Sequence, residues 1–344
     1  MLKVAVSGVG GAVGQSILKA LGLAQIDLEV YPVDIQELSV GLWRSGNGFT
    51  LPRPELPGSL TIWREELVSR GIDALIPGSD HDLLALSEVR EEWELAGGPK
   101  VLVSDAALVR ACNDKALTHE ILVAAGLPAP QSLWDATLEQ TVKWARNLGY
   151  PVVVKPRDGF GSRHVQVIPD EESLRFFFPR TPNPITQEYL QLDGAAEEFT
   201  CSVFVDRDGS PVGTFAARRE LVGGATARAE VGFWPDVHDL VASIGSALKP
   251  VGPLNVQLRR TARGPVPFEL NIRCSGTSAV RAYFGYNEPE MLLRHLVLGE
   301  TLSPPEVTEG YVMRYWNEMF LPGVTGASMS DSLGKVQGVI LPWP

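Results

Sequence analysis

Cysteine is scarce in this chain, and long apolar runs are missing. The three cysteines among 344 residues, Cys112, Cys201 and Cys274, have no paired spacing. This usage argues against a disulfide framework or a zinc site and favours a reducing compartment. No segment approaches the roughly 20 apolar residues of a membrane-spanning helix, and the first apolar run is too short for a signal peptide. We therefore expect a cytoplasmic protein without a membrane partner.

Clustered positive charge is lacking as well. The chain has 30 Lys and Arg against 41 Asp and Glu, a formal net charge of -11. Because nucleic-acid surfaces need grouped cations, we expect no nucleic-acid partner, although a local basic pocket for a nucleotide is compatible with this charge. A length of 344 residues with 44% hydrophobic and 21% charged residues suits two or three packed modules.

The order of apolar runs predicts an α/β fold that becomes α+β in its C-terminal part. In the first third, short apolar strands at 4–6, 28–33, 74–76 and 101–103 alternate with helical segments. This alternation predicts a parallel, Rossmann-like sheet covered on both faces. Two helices and a strand–glycine loop–strand unit follow, and beyond residue 185 the chain is mostly strand.

A glycine turn, Gly8 to Gly14, follows the first strand, and Asp34 lies 20 residues beyond it at a strand end. The arrangement approaches the dinucleotide fingerprint, in which glycines admit a pyrophosphate and an acid holds the ribose. Val13 stands where that fingerprint has its third glycine. One interpretation is an NAD(P) site, and the other is a tight turn that binds no dinucleotide. The rest of the chain favours the tight turn.

Lys155 ends a Val-Val-Val run and precedes the loop Asp158 to Ser162. A lysine at the mouth of an apolar strand is costly to desolvate unless it meets an anion. A glycine loop between two strands can offer backbone N–H groups to a triphosphate. A surface lysine beside an ordinary hairpin is the alternative interpretation.

A second polar cluster alternates along the segment 267–273. Period two places Glu269, Asn271 and Arg273 on one face, and a turn near Arg263 places Gln257 of the preceding strand opposite Glu269. The two prolines in this segment could shift the register by one or two residues. Carboxylate and amide oxygens are the ligands that Mg²⁺ prefers beside phosphate oxygens, and Arg273 could brace a phosphoryl group. A solvated polar face is the alternative.

Short motifs follow one another along the chain, and they are Asn113-Asp114-Lys115, Ala125-Gly126-Leu127-Pro128, Val-Val-Val-Lys155-Pro156, Gln187-Glu188-Tyr189-Leu190, Asn255-Val256-Gln257 and Phe268-Glu269-Leu270-Asn271-Ile272-Arg273. In this order they resemble the ATP-grasp superfamily, most closely a single synthetase unit of the carbamoyl-phosphate synthase large subunit. The resemblance covers roughly residues 105–300. It implies a pre-ATP-grasp domain at 1–105, a small lid domain at 106–185 and a C-terminal antiparallel lobe at 186–344. The glycine loop has fewer glycines than that enzyme's, and this chain has one unit where the enzyme has two.

Carried over position by position, the resemblance implies a site for ATP and Mg²⁺, with Mn²⁺ as a substitute. Phosphates would be held by Lys115, Lys155 and the loop Gly159, Phe160, Gly161 and Ser162. Backbone groups of Glu188 and Leu190 would contact the adenine, and Glu198 would hold the ribose. Gln187 and Tyr189 would also belong to the nucleotide site. Metal ions would bind Gln257, Glu269 and Asn271, with Arg273 and Lys155 catalytic.

The implied activity is an ADP-forming carboxylate–amine ligase that acts through an acyl phosphate on an amino-acid-like substrate. Its partners would be a small carboxylate and an amine, and the chain could form a homodimer. Arg228, in a predicted loop, and Arg281, on a predicted helix, are candidate substrate contacts beside Arg273, or else solvated side chains. Cys274 is expected to be structural. An NAD(P)-dependent oxidoreductase and a non-catalytic ATP-binding protein are the alternative functions.

Overall fold

The computed structural model describes residues 1–159, 164–192 and 197–340, and these residues form three β-sheets. The first is a five-stranded parallel sheet in the order β3-β2-β1-β4-β5. Its strands are β1 (Leu2–Val6), β2 (Leu28–Asp34), β3 (Phe49–Thr50), β4 (Ala74–Ile76) and β5 (Lys100–Val101). Its helices are α1 (Ala12–Leu21), α2 (Ser59–Ser69), α3 (Asp80–Leu95) and α4 (Ala106–Asn113), with a 3-10 segment at Val40–Arg44.

The parallel sheet is covered on both faces, as the short apolar strands predict. Val4 and Val6 of β1 are buried in one apolar cluster, whereas Ala5 between them is buried in another. Alternate side chains of a strand point to opposite faces, so both faces of this sheet pack against other elements.

The second sheet is antiparallel, in the order β6-β9-β7-β8. Its strands are β6 (Ser132–Leu133), β7 (Val152–Pro156), β8 (Gln166–Ile168) and β9 (Pro184–Glu188), accompanied by α5 (Lys115–Ala124), α6 (Leu138–Leu148), α7 (Glu171–Phe177) and a 3-10 turn at Phe178–Arg180. Thr137 begins α6 with a capping box to Gln140. The predicted strand–glycine loop–strand unit corresponds to β7 and β8.

The third sheet has six antiparallel strands in the order β14-β13-β10-β11-β12-β15. They are β10 (Glu198–Val205), β11 (Pro211–Val222), β12 (Ala225–Val231), β13 (Gly252–Thr261), β14 (Gly264–Asn271) and β15 (Gly310–Met313). The remaining helices are α8 (Pro235–Leu248), α9 (Ser278–Tyr283), α10 (Glu288–Leu292) and α11 (Met329–Ser332), with a π turn at Leu293–Val297 and a 3-10 turn at Gly326–Ser328.

Helix α1 joins the first and third sheets through a common core. Its Ile17 and Leu21 share one apolar cluster with Phe204 and Phe215 of the six-stranded sheet. The opposite face of that sheet packs on α8. This packing holds the glycine turn before α1 close to the C-terminal sheet. In the described part of the chain, no helix is long and apolar enough to cross a membrane.

Candidate active site

A cleft of about 480 Å³ is lined by residues of the four-stranded and six-stranded sheets and by Ala12 and Val13 at the start of α1. It collects eleven of the residues that the sequence singled out: Lys115, Lys155, Gly159, Gln187, Glu188, Tyr189, Leu190, Glu198, Gln257, Glu269 and Arg273. Asn271 lines a small adjoining pocket together with Lys115, Gly159 and Glu269. Phe160, Gly161 and Ser162 lie outside the described residues.

Two lysines converge on this cleft from different elements. Lys155 is buried near the end of β7, and its Nζ donates a long hydrogen bond of 3.5 Å to the Phe268 carbonyl. Lys115 begins α5, and its Nζ donates to the carbonyls of Arg157 and Gly159 at 3.2 and 3.3 Å. Burial and the positive charge of Lys115 lower the pKa of Lys155 to about 8, although Glu269 opposes the shift. Burial also lowers the pKa of Lys115. Two desolvated cations side by side form a site for an anion.

Asp114 positions Lys115. Its side chain accepts the backbone N–H groups of Ala116 and Leu117 and so caps α5. The same carboxylate pairs with Arg157 at 2.7 Å, and Arg157 also reaches Asp135 at 3.1 Å. The start of α5 is therefore tied to the loop that follows β7.

The hairpin of β13 and β14 has the predicted register at the cleft. Gln257 pairs with Glu269, and Asn255 pairs with Asn271. A register shift between Gln257 and Leu258 moves the pairing by one residue on the turn side, where Leu258 faces Pro267. Because proline has no N–H group for the ladder, an irregularity beside Pro267 is expected. Across this face, the Asn271 amide donates to Glu269 Oε1 at 2.9 Å.

Arg219 of β11 and Arg259 of β13 belong to the site, although the sequence motifs did not indicate them. Glu198 accepts from Arg219 at 2.9 Å and, through its other oxygen, from Arg259 at 2.9 Å. Arg219 also donates to Gln257 Oε1 at 2.7 Å. Glu198, the predicted ribose ligand, and Gln257, a predicted metal ligand, thus already accept hydrogen bonds from arginines. Arg259 alternates with apolar residues along its strand, which is a sequence signal, whereas the pattern around Arg219 gives none.

The segment 187–190 is also held in place by hydrogen bonds and charged partners. Glu188 pairs with Arg263 at 2.7 Å, and the Leu190 carbonyl accepts from Arg259 at 3.2 Å. The Arg259 guanidinium lies 5.3 Å from the centre of the Tyr189 ring. The buried Gln187 donates to Ser132 Oγ at 2.8 Å.

Arg273 reaches the cleft but is bound by Asp80 at the start of α3. Its Nε and Nη2 donate to the two Asp80 oxygens at 2.5 and 3.0 Å, and Nη1 donates to the Cys274 carbonyl at 3.0 Å. This bidentate pair fixes the guanidinium plane and connects the first module to the C-terminal sheet. Sequence reasoning did not find Asp80.

Two candidate substrate contacts do not line the cleft. Arg281 lies on α9, where a helix was predicted, but it is fully buried, pairs with Glu288 at 2.6 Å and donates to Asn255 Oδ1 at 2.6 Å, so its side chain is not solvated as the alternative interpretation expected. Arg228 lies in β12, where a loop was expected, and pairs with Glu220 at 3.0 Å on the exposed surface.

Cys274 is buried, and burial raises the pKa of its thiol well above the ordinary value. A neutral buried thiol is a poor nucleophile, consistent with a structural cysteine.

The glycine turn is stabilised from within. Asp34 Oδ2 accepts the Gly10 N–H at 2.7 Å, and Oδ1 accepts those of Ile35 and Gln36 at 2.8 and 3.2 Å. Both carboxylate oxygens are thus used by the protein's own backbone, which favours the interpretation without a dinucleotide. A Cβ added at Gly14 would lie 2.4 Å from the Gly8 carbonyl oxygen, so this glycine is required by packing.

Two family models match the part of the chain that builds the cleft. The model described as "ATP-grasp domain" matches residues 112–225, and the one described as "ATP-grasp in the biosynthetic pathway with Ter operon" matches residues 182–319. ATP-grasp models thus match the chain between residues 112 and 319, and the resemblance seen in the sequence is confirmed.

Among its relatives is the carbamoyl phosphate synthase large chain of Gemmatimonas aurantiaca. It is 25% identical over 233 residues, which are 64% of this chain and 21% of that protein. The matched region thus spans about a fifth of the relative.

Two solved structures share the fold. The biotin carboxylase domain of Hydrogenobacter thermophilus 2-oxoglutarate carboxylase, a dimer with MgADP, ADP and bicarbonate, has a TM-score of 0.69 at 16% identity, covering 90% of this chain and 73% of that one. Staphylococcus aureus N5-carboxyaminoimidazole synthetase, complexed with ADP, has a TM-score of 0.71 at 14% identity, covering 91% and 82%.

Proposed function

We propose that this protein is an ADP-forming carboxylate–amine ligase that activates its acid as an acyl phosphate. The observation that carries the proposal is the meeting of Lys115 and Lys155 with the Glu269 hairpin in one cleft. A buried and a half-buried lysine opposite a carboxylate and amide face suit a polyphosphate that brings its own metal ion. The match to ATP-grasp models supports the same function.

ATP would lie with its phosphates at Lys115, Lys155 and the loop that begins at Gly159. Its adenine would contact the segment 187–190, where the backbone and the Tyr189 ring border the cleft. Glu198 would accept from the ribose hydroxyls, since a carboxylate held by two arginines remains an acceptor.

The donor set around Glu269 fits a hard divalent cation in part. Glu269 offers a carboxylate, and Asn271 uses its NH₂ group towards Glu269, which leaves its Oδ1 to face a metal. The Gln257 oxygen accepts from Arg219, so Gln257 becomes a ligand only when Arg219 moves away. Once bound, Mg²⁺ or Mn²⁺ would neutralise phosphate charge and hold the β- and γ-oxygens in place.

In the proposed reaction, a carboxylate oxygen of the acid attacks the γ-phosphorus of ATP. The bond from the γ-phosphorus to the bridging oxygen breaks, ADP leaves with that electron pair, and an acyl phosphate forms. The amine nitrogen then attacks the acyl carbon, loses a proton and displaces inorganic phosphate. Lys155 and Arg273 would stabilise the charge on the transferring group, with Arg273 positioned by Asp80.

The amino-acid-like substrate and the homodimer are finer proposals. The substrate class rests on the resemblance to the carbamoyl phosphate synthase large chain. A homodimer is supported by the dimeric state of the biotin carboxylase domain that shares the fold.

The reaction class is tested by its products. A screen of amino acids and small carboxylates should find acids that stimulate ADP release, and hydroxylamine should trap the activated acid as a hydroxamate. ADP and phosphate should appear in equal amounts. AMP as the stoichiometric nucleotide product would instead show adenylation and contradict the mechanism.

Glu269→Gln tests the proposed metal site of Gln257, Glu269 and Asn271. It removes one anionic ligand while keeping the shape of the side chain, so turnover should fall by about two orders of magnitude or more, with a smaller loss of nucleotide affinity. Glu220→Gln, on the exposed surface of β11, is the control and should retain parental rates. Parental turnover in Glu269→Gln would remove the metal assignment.

A further inference from the structure

Three cations near the glycine turn have no carboxylate partner among the described residues. They are Lys19 of α1, Arg44 at the end of the 3-10 segment and Arg314 after β15, and we call them the cation triad. None of them forms an ion pair within the described residues, although the chain has eleven more acidic than basic side chains.

One member of the triad, Arg314, lies where the cleft meets the glycine turn. Arg314 lines the cleft together with Ala12 and Val13, and its Nη1 donates to the Thr226 carbonyl at 3.3 Å. Lys19 follows Ala12 by seven residues, so both lie on one face of α1, and a helical lysine points back towards the helix start.

Arg44 is brought to the same place by tight packing. Gly41 of its segment lies against the turn, because a Cβ added there would be 2.3 Å from the Val9 carbonyl oxygen. The Arg44 side chain is half-buried, and its Nε is a buried donor without a partner in the described residues.

The three charges act on one another. Burial, followed by the positive charges of Arg44 and Arg314, lowers the pKa of Lys19. Burial also lowers the pKa values of Arg44 and Arg314. Like charges that act on one another repel, and a bound anion would offset this repulsion.

The end of the cleft at Arg314 is reached along a continuous wall. From Arg273 this wall passes through the segment 275–277 to Ala12, and a Cβ added at Gly276 would lie 3.6 Å from Ala12 Cβ. A ligand anchored beside the phosphate lysines can therefore extend past Arg273 towards the glycine turn.

We infer that the cation triad binds a second anionic group, a carboxylate or a phosphate, on the acid that this enzyme activates. The acid would place its reacting carboxylate at the γ-phosphate and its second anion at Lys19, Arg44 and Arg314. The inference rests on the proposed function, which supplies the reacting end. It defines the substrate class as acids with two anionic groups.

Binding without turnover tests this inference. Calorimetric affinities at constant ionic strength are compared within two matched pairs, succinate against butyrate and 2-phosphoglycolate against glycolate. The dianionic member of at least one pair should bind the parent more tightly by about tenfold or more. The pair that shows the larger ratio distinguishes a carboxylate from a phosphate. Equal affinities within both pairs would overturn the inference.

Variants of the cation triad test whether the preference for dianions arises there. Arg314→Gln and Lys19→Gln should each remove most of the advantage of the dianion, whereas Arg314→Lys should retain part of it. Arg53→Gln removes an exposed arginine outside the cleft and is the matched control. Circular dichroism of each variant checks that it is folded. An advantage that persists unchanged in both neutral variants would show that the dianion binds elsewhere.

Binding of Mg·ATP distinguishes a failure of this inference from a failure of the proposed function. Mg·ATP should stabilise the parent and the Arg314→Gln variant to the same extent, because the triad is not part of the phosphate site. ATP binding without any preference for dianions overturns the inference alone. A preference for dianions without ATP binding overturns the proposed function alone.

Discussion

At the scale of single residues, Lys155 shows how burial prepares a group for its ligand. Its ammonium group is desolvated at the end of β7, lies near Lys115 and has one long hydrogen bond. Its pKa of about 8 lies below the ordinary 10.5, so part of the population is neutral in mildly alkaline solution. A phosphate at this position would favour the charged form.

ATP binding should therefore take up protons. Near pH 8.5 the free protein has partly lost the Lys155 proton, and binding of Mg·ATP should restore it, whereas near pH 6.5 the group is charged in both states. Calorimetry in two buffers with different ionisation enthalpies measures this uptake. Lys155→Met should reduce the uptake at pH 8.5 and weaken ATP binding, while Lys143→Met, on the exposed side of α6, should change neither. Parental ATP affinity and turnover in Lys155→Met would contradict the phosphate assignment.

At the scale of elements, the start of α5 combines stability with function. Asp114 caps the helix and also holds Arg157 at 2.7 Å, so one side chain sets both the helix start and the adjoining loop. Thr137 caps α6 in a similar way, but neither it nor α6 lines the cleft. The two caps form a matched pair for experiment.

Asp114→Ala and Thr137→Ala should each lower the free energy of unfolding by about 1 kcal/mol. Only Asp114→Ala should also weaken ATP binding, because it releases Arg157 and the position of Lys115. Urea denaturation measures stability, and titration with Mg·ATP measures affinity. Equal ATP affinities in the two variants would show that the cap has no functional role.

At the scale of the whole molecule, the cleft is built by elements that are far apart in the chain. Lys155 belongs to the four-stranded sheet, Gln257 and Glu269 belong to the six-stranded sheet, and Ala12 and Val13 begin the helix that follows the first parallel strand. A ligand that touches all three parts should therefore stabilise the molecule as a unit.

We expect different nucleotides to change the melting temperature differently. Mg·ATP should raise the melting temperature, whereas NADH and NADPH should not, because Asp34 is already bonded by the turn and Val13 stands where the fingerprint has glycine. Thermal unfolding with each nucleotide at the same concentration decides the matter. Stabilisation by NADPH at micromolar concentration, with none from ATP, would support the oxidoreductase alternative.

Short-range sequence patterns determined two parts of this structure, the hairpin at the cleft and the parallel sheet. Period-two alternation predicted that Glu269 and Asn271 share a face, and the position of the turn predicted that Gln257 faces Glu269, both of which the hairpin confirms. The apolar strands of the first third likewise predicted a parallel sheet with two covered faces. These features depend on neighbours in sequence, where backbone geometry leaves few choices.

Only the tertiary structure decided which charges meet. Arg219 reaches Gln257 from 38 residues away, and Asp80 reaches Arg273 from 193 residues away. Arg281 was expected at a substrate or in solvent, yet the fold encloses it with Glu288. No periodicity encodes such contacts, because side chains from separate elements become neighbours only when the sheets pack. For the same reason, the cation triad near the glycine turn could be recognised only in the folded molecule.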